Sequence, residues 1–323
     1  MNKILYLLLF FSALSFSQSI TVDNTSAPID LVNMLIGGSC IEVNEIQVSS
    51  NLSVGSFNKN GSSFPINEGV IIRTGNIINT QGLYTGTNLS TTATGGGADA
   101  FLQNLSNITS SSTVPLSDLS FLQFDFIPVS SSFSFDFLFA SNEYGAEQCD
   151  SNDIFAFVLT NLSDGSVQNL GVIPVTSNPV TVKTIRNQIY NSACLSSNSN
   201  LFSVYNVVNP ALSTLNMNGH TKVLNASSIV TPGIEYRLKL VIADYGDTNF
   251  DSSVFISGGS FTNELNLGPD QTTCSGNTTV LDTQLDTTYT YQWFQDGNPV
   301  GGNTSTYTVT GPGTYTANIT KRS

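Results

Sequence analysis

"SFSFDFLFA", residues 132–140, decides the fold class. It opens with Phe133, Phe135 and Phe137 alternating against Ser132, Ser134 and Asp136. A period of two places one set of side chains on a buried face and the other toward water, the mark of a half-buried antiparallel strand. Five further runs have the same β-branched or aromatic character: "GVIIRTGNI" (69–77), "FLQFDFIPV" (121–129), "DIFAFVLT" (153–160), "YRLKLVIAD" (236–244) and "SSVFISGGSF" (252–261). Each is bounded by Gly, Pro, Asn, Asp or Ser, which end strands. The spacing of Phe121, Phe124, Phe126, Phe133, Phe135, Phe137, Phe139, Phe155 and Phe157 predicts a core rather than a sugar-stacking platform.

Helix signals are sparse. "TSAPIDLVNMLIGG" (25–38) offers Ser26 as a cap, Pro28 in the first turn and Asp30 near the positive end of the dipole. Leu31, Met34 and Leu35 supply its apolar face, and Gly37–Gly38 stop it. "TATGGGADAFLQNLS" (92–106) reads as a glycine-rich loop opening into a helical turn, and without a following Lys-Ser/Thr it is no phosphate loop. The expected fold is all-β: a jelly-roll-like β-sandwich with one or two short helices, followed by a small Ig-like β-sandwich.

Composition restricts the function classes. Of 323 residues only 10% are charged, against 40% hydrophobic, and the net charge is −13. Ser, Thr, Asn and Gly replace the missing charges, as in exported β-proteins. Such a chain repels phosphate backbones and anionic lipid surfaces, and its natural small partners are cations. "MNKILYLLLFFSALSFS" (1–17) has Lys3, an apolar stretch from Ile4 to Leu14, and Ser15 and Ser17 placed for a cut before Gln18. It reads as a signal peptide, with no lipid-anchoring cysteine at the cut and no transmembrane segment elsewhere. The expected location is extracellular or on the outer cell surface.

Four cysteines, Cys40, Cys149, Cys194 and Cys274, allow three pairings in an oxidising compartment. The polar, loop-like surroundings of Cys149 and Cys194 within one domain favour that pair. Past "ELNLGPDQT" (264–272) the text changes to short, evenly spaced strands around the only tryptophan, Trp293. Cys274 on an early strand, Trp293 on a central one and Tyr315 near a tyrosine corner read as an immunoglobulin-type module over 265–323, behind a main domain of 18–264. Ala317 stands where the antibody pattern has cysteine. Cys274 therefore pairs with Cys40, or with a residue beyond Ser323 in a longer chain whose Ig-like module is truncated here.

Two acidic stretches carry the chemistry. "ASNEYGAEQCDSNDIFAFVL" (140–159) holds Glu143, Glu147, Asp150, Asn152 and Asp153, while "IADYGDTNFDSSVFI" (242–256) holds Asp244, Asp247 and Asp251. Each stretch ends one apolar strand and precedes another, so neighbouring strands would bring the two loops together. Glu143, Asp150, Asp153, Asp244, Asp247 and Asp251 are then candidate ligands for Ca²⁺, a hard cation that takes carboxylate and carbonyl oxygens. Against this stand a solvated role that keeps loops soluble, and an acid/base pair formed by Glu143 with Asp153 or Asp244. The lone histidine, His220, sits beside Gly219 and reads as a surface turn residue; no GxSxG or HExxH accompanies it.

"FDFLFASNEYGAEQCDSNDIFAFVLT", "IPVTSNPVTVKTIRNQIYNSACLSSNS" and "YRLKLVIADYGDTNFDSSVFISGGSF" resemble the choice-of-anchor L domain of bacterial surface proteins. "LVNMLIGGSCIEVNEIQ" and "INEGVIIRTGNI" are similar to its opening, and the resemblance spans about 24–264. It implies an extracellular, non-enzymatic β-rich module, commonly exported by a type IX system and followed by Ig-like or PKD-like modules and a sorting domain. The expected function is an adhesin-like protein, Ca²⁺-stabilised, attaching to a surface, matrix or glycan. The alternatives are a carbohydrate-binding region of a longer secreted enzyme, a surface-layer component and, last, a hydrolase.

Overall fold

The computed structural model describes residues 18–37, 41–93, 95–110, 112–261, 267, 270–272, 278–285 and 287–321. The signal-peptide reading of 1–17, the domain boundary at 264/265, and Cys40 and Cys274 with their pairing lie outside the described residues.

In chain order the first strands are β1 (Thr21–Asp23), β2 (Glu42–Val48), β3 (Val54–Asn58), β4 (Glu68–Arg73), β5 (Leu116–Ile127), β6 (Ser132–Ser141) and β7 (Ile154–Asn161). Then come β8 (Val167–Asn169), β9 (Phe202–Tyr205), β10 (Gly219–Thr221), β11 (Leu224–Ile229), β12 (Tyr236–Tyr245) and β13 (Ser252–Ser257). They form an eight-stranded sheet, β1-β3-β4-β13-β6-β10-β9 with β11 also on β6, and a five-stranded sheet, β2-β5-β12-β7-β8. Every pairing is antiparallel. The fold is the expected all-β sandwich.

Phenylalanines hold the sheets together. Phe137 of β6 packs edge-on against Phe157 of β7, 4.9 Å between centroids, and Phe135 meets the same ring at 5.1 Å. Phe139 stacks on Phe155 at 5.3 Å, and Phe126 of β5 meets Phe133 at 5.3 Å. Edge-to-face and offset contacts at these distances suit the ring quadrupole and add to the hydrophobic gain. Every phenylalanine singled out from the sequence is buried in this layer except Phe121, which faces the opposite side of its sheet beneath Lys239.

The alternation in 132–137 gives way to burial on both faces from Phe137 to Ser141. A second apolar layer causes the change. Leu138 and Ala140 of β6 pack with Phe57, Phe64, Ile71 and Phe255 beneath the loops that cover the larger sheet. The outer face of the smaller sheet is covered by α2 (Ala100–Ser110), whose Leu102 packs on Ile154, Ala156 and Val241. Asp99 caps that helix by accepting from the Leu102 amide at 2.8 Å, and its other oxygen accepts from Lys239 Nζ at 2.6 Å.

The first helix, α1 (Pro28–Ile36), lies where the sequence places it, but its N-cap is Ala27, which provides no side-chain bond. Ser26 is drawn away to Ser56, Oγ to Oγ 3.2 Å, so proline at the first position rather than a cap fixes the start. Gly37 ends the helix in the left-handed conformation. A second correction concerns His220: it lies inside β10, 5% exposed, with Nδ1 2.7 Å from the Thr221 carbonyl and its ring against Phe64. The neighbouring glycine marks close backbone approach in a strand, not a turn.

Cys149 and Cys194 form the expected disulfide. It closes a loop of 45 residues, a constraint on the unfolded chain of about 4 kcal/mol in the chain-entropy account. The C-terminal strands are β14 (Thr279–Asp282), β15 (Tyr289–Gln295), β16 (Asn298–Val300), β17 (Thr306–Val309) and β18 (Tyr315–Lys321), paired as β14-β17 and β16-β15-β18. Trp293 on β15 is fully buried, its Nε1 donating to the Thr304 carbonyl, while Tyr315 Oη donates to the Gly311 carbonyl as a tyrosine corner does. These strands match the expected Ig-like module.

The aromatic seam gives the first prediction. Phe137→Ala removes a fully buried ring from the inter-sheet contact, so denaturant unfolding should show a loss of about 3–5 kcal/mol. A loss below about 1 kcal/mol would mean that the seam does not hold the sheets together.

Candidate functional site: a buried acidic cluster between two crossovers

Two of the crossings between the sheets lie together at one end of the sandwich. Residues 142–153 lead from β6 to β7, and 246–251 lead from β12 back to β13. β6 pairs with β13 and β7 with β12, so the crossovers run side by side. Ser141 stands opposite Ser252, and Ile154 opposite Ala243. Glu143, Asp153, Asp244 and Asp251 occupy the four roots of these crossovers, and all are at most 2% exposed.

Three of the four form one cluster. Asp153 Oδ1 accepts from the Tyr245 amide at 3.0 Å, and Oδ2 accepts from Ser252 Oγ at 2.7 Å. Glu143 Oε2 accepts from the Asp153 amide at 3.2 Å. Neither oxygen of Asp244 has a hydrogen-bond partner. Asp153 and Thr74 lie near enough to act on its charge but outside hydrogen-bond geometry. An unpartnered buried carboxylate is costly, so it binds a proton or attracts a cation.

Burial, and then the charge of Asp153, pushes Glu143 and Asp244 well above the usual carboxylate range. Burial also raises Asp153, to about 6, against the pull of its hydrogen bonds. Asp118, unremarked in the sequence, belongs to the same end. It sits at φ +47° in β5, where the register against β12 slips between Ile242 and Asp244. One of its oxygens is buried without a partner, and burial followed by the charge of Asp251 lifts its pKa to about 6.

Asp251 has a different task. Arg73, also fully buried, donates from Nε to Asp251 Oδ2 at 2.9 Å, from Nη1 to Thr80 Oγ1 and from Nη2 to the Asn88 carbonyl. Asp251 further accepts from the amide and hydroxyl of Thr91. The pair thus fastens the strap 74–93 across the end of β13 and β4. Gly75 is required there, since a Cβ would come within 2.0 Å of Asp251 Oδ2. The hint in the sequence was an arginine inside the apolar run "GVIIRTG", which demands a buried acid.

Asp150 and Asp247 lie outside the cluster, exposed in their turns. Asp247 Oδ1 accepts from the Asn249 amide at 2.7 Å, a local turn bond at a solvated tip. Of the six candidate ligands, the structure therefore brings together Glu143, Asp153 and Asp244, commits Asp251 to Arg73, and leaves two in solvent. Among the described residues, no three His, Cys, Asp or Glu side chains are grouped to enclose a metal ion.

The family model of the choice-of-anchor L domain matches residues 19–262, well over half of the chain. The chain belongs to the choice-of-anchor L domain family. No curated protein and no solved structure matches it. The family is one of non-catalytic surface domains, and this choice-of-anchor L domain carries its acidic crossovers inside the matched region. No helix among the described residues is long and apolar enough to cross a membrane.

The cluster predicts an unusual pH response. A carboxyl whose folded pKa exceeds its unfolded value stabilises the fold below the unfolded value and loses that contribution as pH rises through the folded one. For Asp153 the window runs from 3.8 to about 6. In metal-free buffer the melting temperature should therefore rise as pH is lowered from about 7.5 to about 5, and this rise should be smaller in Asp244→Asn. An identical profile in both proteins would remove Asp244 from the titrating cluster.

Proposed function

We propose that this choice-of-anchor L domain protein is an adhesin-like attachment module on the cell surface, whose buried acidic end is charge-balanced by Ca²⁺. The attachment reading is supported by the family match across 19–262. The calcium reading is carried by Asp244, whose two buried oxygens have no hydrogen-bond partner beside two further buried acids. A hard divalent cation satisfies such oxygens without a proton. Asp244 would be its carboxylate ligand, with carbonyl or water oxygens completing the shell and the charges of Glu143 and Asp153 beside it favouring a cation. Its work there is to join the two crossovers.

Thermal unfolding of the chain at neutral pH with Ca²⁺, and with excess chelator, tests the calcium reading. Ca²⁺ at a hundredfold excess over Kd should add about 2.7 kcal/mol, and Asp244→Asn should lose that gain. Asp247→Asn, changed at the solvated tip, should keep it. Equal melting of the parent protein with and without the metal would leave the cluster to protons alone. For attachment, beads coated with the protein should adhere to the producing cells' extracellular matrix more than beads coated with a denatured control.

A further inference from the structure

The end of the sandwich away from the acidic cluster is also built from two crossings. Residues 128–131 lead from β5 in the smaller sheet to β6 in the larger, and 230–235 lead from β11 to β12. The Val230 amide donates to the Ser131 carbonyl at 2.9 Å, and the Gly233 amide donates to the Pro128 carbonyl at 3.0 Å. Phe126 and Phe133, which flank the first crossing, meet at 5.3 Å. The turn 128–131 is thus a firm platform. It precedes β6, whereas the acidic crossover follows it, and this strand of 10 residues is about 30 Å long.

On the platform stands a valine that takes no part in the aromatic seam. Val129 is 8% exposed, and it is buried in one cluster with Leu285, Tyr291 and Trp293 of the C-terminal strands. Among the described residues of the Ig-like module, those three are its buried hydrophobic side chains; Leu281, Tyr307 and Ile319 around them are half-buried. Trp293 is anchored from within by its bond to the Thr304 carbonyl and by the Tyr307 ring at 5.6 Å. Val129 extends the same cluster from outside. A module with so small a core gains stability from whatever closes it.

We propose that the Ig-like module docks on the turn 128–131 through Val129 and folds with the main sandwich as one cooperative body. The sandwich lends a core residue to the module, so the interior around Trp293 is closed only in the docked arrangement. Apolar surface removed from water at such a contact favours the folded form of both sides together. The two ends of the sandwich then have different tasks. One gathers the acids, and the other carries the module.

Trp293 is the only tryptophan of the chain, so its emission in the full-length protein reports on the module. Far-ultraviolet circular dichroism reports chiefly on the main sandwich, which holds β1 to β13. In a urea titration of the parent protein, both signals should change at one midpoint. Phe137→Ala, outside the Val129 cluster, should lower the two midpoints equally, by at least about 0.5 M. Val129→Asp should separate them: tryptophan emission shifts to longer wavelength and its midpoint falls below that of the dichroism. Val129→Ile, which keeps the apolar surface, should behave as the parent. The proposal is overturned if the two transitions of the parent are separate. It is equally overturned if Phe137→Ala lowers the dichroism midpoint alone, or if Val129→Asp leaves the tryptophan transition at the parental midpoint. Should Val129→Asp prevent the whole chain from folding, the parent and Phe137→Ala titrations decide.

Discussion

The contact of Phe135 and Phe137 with Phe157 across the two sheets is the constraint from which the rest of the architecture follows. It aligns β6 with β7 face to face, and backbone pairing then sets β13 beside β6 and β12 beside β7. Two chain crossings are thereby forced next to each other at one end. Whatever side chains stand at the roots of those crossings are buried together, whether or not their charges agree. Four acids stand there, and one arginine, Arg73, answers one of them. The packing of apolar rings thus creates the electrostatic problem that the remaining acids solve with protons or with a cation.

Much of this was legible in the sequence because its signals are local. The Phe/Ser alternation of 132–137 needs only a window of a few residues to read, and so do the turn formers that bound the strands. The meeting of the acidic loops was legible at one remove, since each joins two strong strand signals. Other features depend on partners far along the chain. Arg73 and Asp251 are separated by 178 residues, so the sequence showed a misplaced arginine and a third loop aspartate but not their union. Asp118 was hidden because its burial depends on a register slip against β12.

The region 202–229 shows a second limit. Its strands β9 and β10 are short and their residues do not alternate, while β11 alternates with only Leu224 and Ala226 on its buried side; pairing with one another and with β6 makes them strands. Tertiary context overrides weak local preference in such segments. His220 was misread for the same reason, because its burial is imposed by Phe64 from a distant loop. Ser26 illustrates competition at shorter range: a good capping residue was taken by Ser56, and the helix started on its proline instead.

The fastening of the strap has a consequence for how such a domain diversifies. The segment 74–93 is held by the Arg73–Asp251 pair, Thr91 and Asn216 rather than by a place in the aromatic seam. Its outward side chains therefore carry little of the folding burden. Exchange of those side chains alters what the surface presents while the rings between the sheets stay as they are. A lineage can in this way inherit one scaffold and revise its outer face repeatedly, provided the buried arginine and its aspartate are kept.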